Sequence, residues 1–509
     1  MSRAPRATRR EWLGLAVIAL PCLLYSMDLT VLNLAVPHLS ADLQPSSAQL
    51  LWIVDIYGFL LAGSLITMGT LGDRIGRRRL LLIGAAAFGG ASVITAFSSS
   101  AGRLIAARGL LGVAAATLAP STLSLIRSMF EDPRQRGTAI AIWVASFSAG
   151  AAIGPVVGGV LLERFWWGSV FLVPVPIMVL LLVIGPVLLP EFRNPTVGRL
   201  DVISAAQSMG SILAVIYGLK QIAQGGSPEW AALAVVTGLA TGVLFLRRQQ
   251  RLDEPLIDLR LFRNTVFSGA LTINVLDFFM GFGTLLFITQ YLQSVLGLSP
   301  LSAGLWTVPW AAASIVGSVL TPLCTRRARP AFVMAGGLVV AAGGFGILTQ
   351  VSGSFGLPAL VAGSVLLSLG LAPLTTVATD MMVGIVVPER AGIASSVSET
   401  SSELGGALGI AVLGSIGSVT YRSHIANAVS SYVPVEVMRE ASKTIGGATA
   451  LAERLPDPGG LELLHVARQA FVGSFALISG ICAVMAIATG VACVVLLRHV
   501  PAASADGSD

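Results

Sequence analysis

The segment "GTLGDRIGRRRLLL" (residues 69–82) joins two long apolar stretches through a short, strongly charged connection. The stretches on either side, at about 50–71 and 80–99, each hold roughly 20 mostly apolar residues, the length of a helix that crosses a bilayer. In lipid, backbone polar groups must bond within their own helix, because no water is present to satisfy them. The segment therefore predicts two membrane-spanning helices joined by a tight turn.

The same pattern continues along the whole chain. Fourteen spans can be counted, at about 12–36, 50–71, 80–99, 104–126, 139–162, 168–189, 200–221, 231–247, 266–292, 301–323, 331–350, 357–382, 391–419 and 470–497. The composition agrees, since 54% of the 509 residues are hydrophobic and only 11% are charged. We expect an all-α integral membrane protein with fourteen transmembrane helices, and a soluble domain is excluded.

The Lys and Arg residues indicate the orientation in the membrane. Fourteen spans place both termini on one side, where the loops hold 23 of the 32 Lys and Arg residues, against 8 in the opposite loops. Because positively charged loops stay in the cytoplasm, we expect both termini to be cytoplasmic. The expected location is the inner (plasma) membrane. The net charge of +6 comes from this asymmetry, so a nucleic-acid partner is not expected.

The four cysteines suggest neither a disulfide framework nor a metal site. Cys22, Cys324, Cys482 and Cys493 fall within or at the ends of spans, without the paired spacing of metal ligands. We expect neither a metal nor a cofactor. A monomer in the lipid bilayer is the expected form.

A short repeat suggests two related halves. "PRQRGTA" (133–139) precedes the fifth span, and "PERAGIA" (388–394) precedes the thirteenth, so both match P-x-x-x-G-x-A. If they correspond, the first six spans pair with the last six. Repeated halves around a central site are a common plan of secondary transporters.

The repeat divides the chain into three parts. We predict a six-helix bundle at 1–190, an inserted helix pair with a cytoplasmic linker at 191–264, and a second six-helix bundle at 265–509. The second bundle includes a long outer loop at 420–469. Within that loop, "VEVMREASKTI" and "LELLHVARQAF" are predicted to form two helices on the outer surface, separated by the irregular segment "GGATALAERLPDPGG". A plain solvated loop is the alternative.

Acidic residues inside the spans are the candidate functional groups. Asp28, Asp277, Glu399 and Glu403 lie near the middle of their spans, and Asp55 lies nearer the outer end of the second. A charge at that depth costs roughly 3 kcal/mol or more, so such residues normally face a cavity. The alternative is an acid that is paired with Arg108 or bonded to nearby Ser and Thr. Since Arg108 is the one basic residue deep in a span, pairing can neutralise only one of the five.

These acids suggest a mechanism for exchange. An apolar setting favours a protonated carboxyl group, whereas a bound organic cation favours the ionised group, so proton and cation compete for one site. Trp52 stands one turn from Asp55, and aromatic faces attract cations without demanding an exact shape. We expect Asp28 to be the main proton carrier, Asp55 and Trp52 the outer substrate contacts, and Glu399 with Glu403 a second carboxylate site.

Two glycine-containing motifs are candidates for conformational change. In the opening segment, Asp73, Arg74, Gly76 and Arg77 form a compact group whose ion pairs would break when the two halves rock; a static, positively charged loop is the alternative. "GAAIGPVVGGV" (150–160) spaces its glycines four residues apart, which makes a smooth face for helix packing. That face comprises Gly150, Gly154, Pro155 and Gly158.

These motifs resemble those of the major facilitator superfamily. "GTLGDRIGRRR" resembles the loop signature of the superfamily, "GAAIGPVVGG" the span-five antiporter signature, and "MDLTVLNLAVP" (27–37) the span-one signature of the fourteen-span drug:proton antiporters. "RGLLGVAAA" (108–116) is similar to the span-four pattern that contains an intramembrane arginine. "LLWIVDIYGFLLAGSL" (50–65) and "SETSSELGGALGIAVLG" (398–414) resemble QacA/SmvA-type multidrug efflux pumps.

The resemblance implies a major facilitator fold and export of quaternary ammonium compounds, dyes and other lipophilic cations, driven by inward proton flow. Two departures from the family occur. The second-half loop "TRRARP" (325–330) lacks the Gly and Asp pattern, and the tenth span lacks the acid that some of these pumps carry. A proton-coupled exporter of one narrow metabolite or antibiotic is the alternative, and a non-transporting membrane sensor is a more remote one. An enzyme is not expected.

Overall fold

The computed structural model describes residues 6–45, 47–191, 201–223, 227–252, 255–351, 356–387, 391–427, 433–442, 444–456 and 458–501. Every regular element in these ranges is helical, and none of them contains a strand. Fourteen of the described helical segments are long and apolar enough to cross a membrane. The expected all-α membrane fold with fourteen spans is confirmed.

The described α-helices are numbered in chain order. They are α1 (Arg9–Leu43), α2 (Ser47–Ile75), α3 (Arg77–Ala96), α4 (Ala101–Met129), α5 (Pro133–Arg164), α6 (Pro174–Leu188), α7 (Val202–Ala223), α8 (Pro228–Gln249), α9 (Thr265–Gln290), α10 (Pro300–Trp306), α11 (Val308–Thr325), α12 (Pro330–Leu348), α13 (Gly356–Ile385), α14 (Ala391–Asn427), α15 (Val435–Ala441), α16 (Ile445–Ala452) and α17 (Gly459–Leu497). A 3₁₀ turn at Trp167–Leu172 begins the sixth span, and α10 with α11 form the tenth.

Local sequence signals explain where several helices begin. The Asp132 side chain accepts a hydrogen bond from the Arg134 amide at 3.0 Å, and Pro133 occupies the first position of α5. Asn264 caps α9 by accepting from the Val266 amide at 2.9 Å. These caps satisfy backbone N–H groups that the first turn of a helix leaves without partners.

The two halves of the chain use the same packing pattern. In the first, α1 packs against α5, α2 against α4 and α3 against α6. In the second, α9 packs against α14, α11 against α13 and α12 against α17. The halves meet through α2 with α14 and through α5 with α11, which are equivalent contacts if the fifth span corresponds to the thirteenth. The boundaries of the three predicted parts stay predictions.

The pair α7 and α8 lies beside the contact between the halves. The two helices pack on each other, and α7 also packs against α2 and α14. Arg248 donates two hydrogen bonds to Asp201, at 2.7 and 3.1 Å, and these bonds hold the pKa of Asp201 well below its usual range. Gln249 joins Ser204 to the Leu256 amide, so the segment after α8 is tied to α7.

The side of the molecule on which α1 begins and α17 ends is closed by contacts between the halves. We call it the termini side. Arg136, at the start of α5, donates to Asp380 near the end of α13 at 2.7 Å. Close by, a Cβ atom placed on Gly392 of α14 would lie 2.7 Å from the Gly69 carbonyl oxygen of α2. Helix packing this close requires glycine on both helices.

The predicted helices of the outer loop are partly wrong. "VEVMREASKTI" contains α15, but "LELLHVARQAF" (461–471) is the beginning of α17, a single helix of 39 residues. The other short helix is α16, in the segment expected to be irregular. Leu463 and Ala467 are buried in α17, so this stretch continues the last span instead of lying separately on the surface.

Candidate functional site

The helix α14 presents two different polar faces. One face carries Ser401 and Ser402, whose hydroxyls accept hydrogen bonds from the Asn274 side-chain amide of α9 at 2.8 and 2.9 Å. The other carries Glu399 and Glu403, one helical turn apart. The serine face therefore anchors α14 to its own half, which leaves the two glutamates directed toward the first half.

Glu403 is held by a tyrosine from the first half. The hydroxyl of Tyr25, on α1, donates to Oε1 of Glu403 at 2.8 Å. Glu399 lies close enough for the charge of Glu403 to act on it. Both glutamates are partly exposed, in contrast to the buried residues on either side of Glu399. The structure thus places a carboxylate pair at the contact between the halves.

Tyr25 packs with two aromatic side chains of α5, Phe147 and Trp143, and we call the three residues the Tyr25 aromatic group. The Tyr25 ring centre lies 5.5 Å from that of Phe147, edge to face, and Phe147 lies 4.8 Å from Trp143. Trp143 is fixed by a hydrogen bond from its Nε1 to the Thr122 hydroxyl at 3.0 Å. Aromatic faces next to carboxylates attract organic cations, so this group has the chemistry of a cation site.

Asp28 is the acid that Arg108 pairs with. The distance from Nη1 of Arg108 to Oδ2 of Asp28 is 3.4 Å, and both side chains are buried. Arg108 also donates through Nε to the Ile53 carbonyl oxygen at 2.7 Å, and its guanidinium carbon lies 5.2 Å from the Tyr57 ring centre. The pairing alternative considered for the acids therefore applies to Asp28.

Asp277 lies in the second half, apart from the glutamate pair. It is buried, and the Thr375 hydroxyl of α13 donates to its Oδ2 at 2.5 Å. It does not pair with Arg108. Its partner Thr375 was not identified from the sequence.

Trp52 lines a cleft between the first bundle and the inserted helix pair. The cleft has a volume of about 550 Å³ and lies between α2, α7 and α8. The ring centres of Trp52 and Phe59 are 6.1 Å apart, and Tyr217 and Trp230 contribute from the inserted pair. Asp55 is partly exposed on the same helix but does not line this cleft. Trp52 is therefore separate from the Tyr25 aromatic group.

The residues of the opening segment form a buried ion pair on the termini side. Nη2 of Arg77 lies 2.5 Å from Oδ1 of Asp73, and both side chains are almost fully buried. Gly76, between α2 and α3, has a φ of 105°, a conformation that favours glycine. Asp73 also lies against Gly392 of α14, so the pair borders the contact between the halves. Arg74 is partly exposed beside it.

The glycines of α5 permit a close approach to α1. A Cβ atom on Gly150 would overlap the Leu23 carbonyl oxygen. Gly154 and Gly158 are buried on the same helix, which also contains Pro155. In the second half, a Cβ atom on Gly405 would meet the Val275 carbonyl oxygen at 2.5 Å, an equivalent contact between α14 and α9.

Several residues of this arrangement were not singled out from the sequence. Trp143 and Phe147 were missed because an aromatic residue in a transmembrane helix gives no sign of which face it occupies. The pair of Arg136 with Asp380 was missed because the partners are 244 residues apart. The charge of Asp380 near a span end was the one available signal.

Known proteins resemble this chain in both sequence and fold. The family description Major Facilitator Superfamily matches residues 18–410. The multidrug efflux pump LfrA of Mycolicibacterium smegmatis is 44% identical over 97% of this chain and 98% of its own length. The methyl viologen resistance protein SmvA of Salmonella typhimurium is 35% identical over 91% of this chain and 94% of its own.

A solved structure supports the fold alone. The bacterial homolog to the human lysosomal transporter Spinster, in an inward-facing and unoccupied conformation, superimposes with a TM-score of 0.58. It is 17% identical, over 97% of this chain and 98% of that one.

Proposed function

We propose that this chain, which belongs to the major facilitator superfamily of membrane transporters, exports lipophilic organic cations in exchange for protons. Its relatives in that family include multidrug efflux pumps. The exchange proceeds by alternating access of one central site to the two sides of the membrane. The termini side is the cytoplasmic side, and the protein works in the plasma membrane as a monomer. The energy source is the proton motive force.

One observation carries the cation specificity. Glu403 of the second half meets Tyr25 of the first, beside the rings of Phe147 and Trp143. A carboxylate supplies the charge that a cation needs, and the rings supply a surface that accepts varied shapes. The name of SmvA points the same way, since methyl viologen is a divalent organic cation.

Although Arg108 pairs with Asp28, the burial of this carboxyl group supports a role in proton coupling. A carboxyl group in a water-poor setting binds and releases protons at a pH set by its partners. Asp28 is the main proton carrier, and Glu399 with Glu403 bind the cation. Asp277 is a further protonation site in the second half. Asp55 and Trp52 are contacts on the outer path of the substrate.

The conformational change uses the contacts at the termini side. In the inward-open state, α2 separates from α14, so the group of Asp73, Arg74, Gly76 and Arg77 loses its contact with Gly392. The glycine face of α5, with Gly150, Gly154, Pro155 and Gly158, keeps α5 packed on α1 while the halves move.

The test is transport in liposomes. Purified protein should move tetraphenylphosphonium and methyl viologen against their gradients when a pH gradient is imposed. Asp28→Asn should abolish pH-driven transport while the cation still binds. Full proton-driven transport of both cations by this variant would contradict the role of Asp28. Transport of a single metabolite, without these cations, would favour a narrow exporter.

A further inference from the structure

The hydroxyl of Tyr57, on α2, is a buried polar group that the proposed mechanism leaves without a role. Its side chain is fully buried, and its oxygen has no hydrogen-bond partner among the residues that the structure describes. A buried hydroxyl without a partner costs free energy, and a partner in another state of the molecule would offset that cost.

The surroundings of Tyr57 connect the proton site to the cation site. On one side its ring lies 5.2 Å from the guanidinium carbon of Arg108, which is paired with Asp28. On the other side its ring centre lies 6.4 Å from that of Tyr25, which donates to Glu403. Tyr57 therefore lies between Arg108, the partner of Asp28, and Tyr25, the partner of Glu403.

The charged groups around the hydroxyl come from three helices. Asp28 on α1, Arg108 on α4 and Glu403 on α14 all act on it. Glu399 acts on the neighbouring Tyr25, and Asp55 lies on α2 itself. The charged residues of α3 are Arg77, Arg78 and Arg79 at its start, and that of α7 is Lys220 near its end.

We propose that Tyr57 is a positioning residue that couples Asp28 to Glu403, because its one hydroxyl proton can be donated to either carboxylate but not to both. The inference rests on the proposed exchange of protons for cations. Tyr57 keeps its own proton throughout, so only its hydrogen bond changes partner.

The direction of the coupling is that of an exchanger. When Asp28 takes a proton it becomes a weaker acceptor, so the Tyr57 hydroxyl turns to Glu403. Glu403 then has two tyrosine donors, which compete with the cation and weaken its binding. When a cation occupies Glu403, the hydroxyl turns back to Asp28, stabilises its ionised form and promotes release of the proton. The two effects are equal in size, as linkage requires.

The test measures tetraphenylphosphonium binding to the purified full chain in lipid nanodiscs, by calorimetry, at neutral and at acidic pH. In the unaltered protein, acidification and Asp28→Asn should each weaken binding, by roughly tenfold. In Tyr57→Phe, binding at neutral pH should be retained, but Asp28→Asn should have little further effect and the pH dependence should be smaller. Tyr291→Phe, a buried tyrosine packed against Phe475, is the matched control and should behave like the unaltered protein.

The outcomes separate this inference from the function on which it rests. If the unaltered protein binds no tetraphenylphosphonium, or binds it with no pH dependence, the proposed function fails. If it shows both properties and Asp28→Asn is equally harmful with and without Tyr57→Phe, the coupling role is overturned. Tyr57→Phe removes one unpaired oxygen atom, so folding should be unaffected, and the pH profile of this variant alone gives a second measurement.

Discussion

At the residue scale, Glu403 is the group that joins the two halves at the candidate site. Its hydrogen bond from Tyr25 crosses between α1 and α14, which belong to different halves. A neutral amide in its place would keep the shape of the side chain but remove the charge. The effect on cation binding therefore reports electrostatics rather than packing.

We predict that Glu403→Gln weakens binding of methyl viologen by roughly tenfold or more, since interactions with a charged group contribute about 1.5–3 kcal/mol. Binding of a divalent cation should suffer more than that of tetraphenylphosphonium. Calorimetry with both cations checks the prediction. Glu163→Gln, at the exposed outer end of α5, is the control. Equal affinities in Glu403→Gln and the unaltered protein would remove Glu403 from the cation site.

At the scale of elements, the contact between α1 and α5 depends on the absence of a side chain at one position. We predict that Gly150→Ala destabilises the protein by about 1–3 kcal/mol, because its Cβ would overlap the Leu23 carbonyl oxygen and force the helices apart. Gly405→Ala should act in the same way on α9 and α14. Thermal unfolding in detergent measures both.

The control for these variants is Gly90→Ala on α3. A Cβ atom at Gly90 meets nothing within 4 Å, so this variant should unfold at or slightly above the temperature of the unaltered protein. If Gly150→Ala unfolds at the same temperature as Gly90→Ala, the α1–α5 contact is not limited by glycine.

The anchor between α7 and α8 should respond to pH. Hydrogen bonds from Arg248 lower the pKa of Asp201 in the folded protein, whereas the unfolded value is about 3.9. The ion pair therefore stabilises the hairpin above that pH, and the stabilisation is lost as the pH falls below it toward the folded value. Neutral buffers should leave it intact.

Hydrogen exchange of the first turn of α7 checks this prediction. Exchange should quicken in the unaltered protein only under strongly acidic conditions. Asp201→Asn should quicken it already at neutral pH and remove the acid response. The effect should be small, because both side chains are partly exposed. An acid response that persists in Asp201→Asn would have to come from other carboxyl groups.

At the scale of the whole molecule, the ion pair of Arg136 with Asp380 links the halves at the termini side. We predict that Asp380→Asn shifts the equilibrium toward the state open on that side, by roughly fivefold or less, as expected for a partly exposed pair. Spin-label distances between the termini-side ends of α5 and α13 measure the shift. Arg136→Asp combined with Asp380→Arg should restore it.

The control for this pair is Glu131→Gln, an exposed acid on the same side. It should leave the distance distribution unchanged, because it removes a charge without breaking the contact between α5 and α13. If the reversed pair gave the same distribution as Asp380→Asn alone, attraction between the two side chains would not be what holds the halves together.

The sequence by itself determined the spans, their number and the acids within them. Length and hydrophobicity suffice for this, because a bilayer accepts only helices of a certain length that satisfy their own backbone groups. The repeat of "PRQRGTA" in "PERAGIA" was also enough to suggest which helices correspond. These are local properties of the chain, and each can be read without knowing what lies opposite.

Only the tertiary structure decided which groups meet. It paired Arg108 with Asp28, gave Asp277 a threonine partner, and set Glu403 against Tyr25. It also separated Trp52 from the Tyr25 aromatic group and joined the end of the outer loop to α17. Such contacts join residues up to 378 positions apart, and they depend on the rotation of each helix about its axis. Hydrophobicity constrains that rotation weakly, because lipid and protein interior are similarly apolar, so packing between helices sets it.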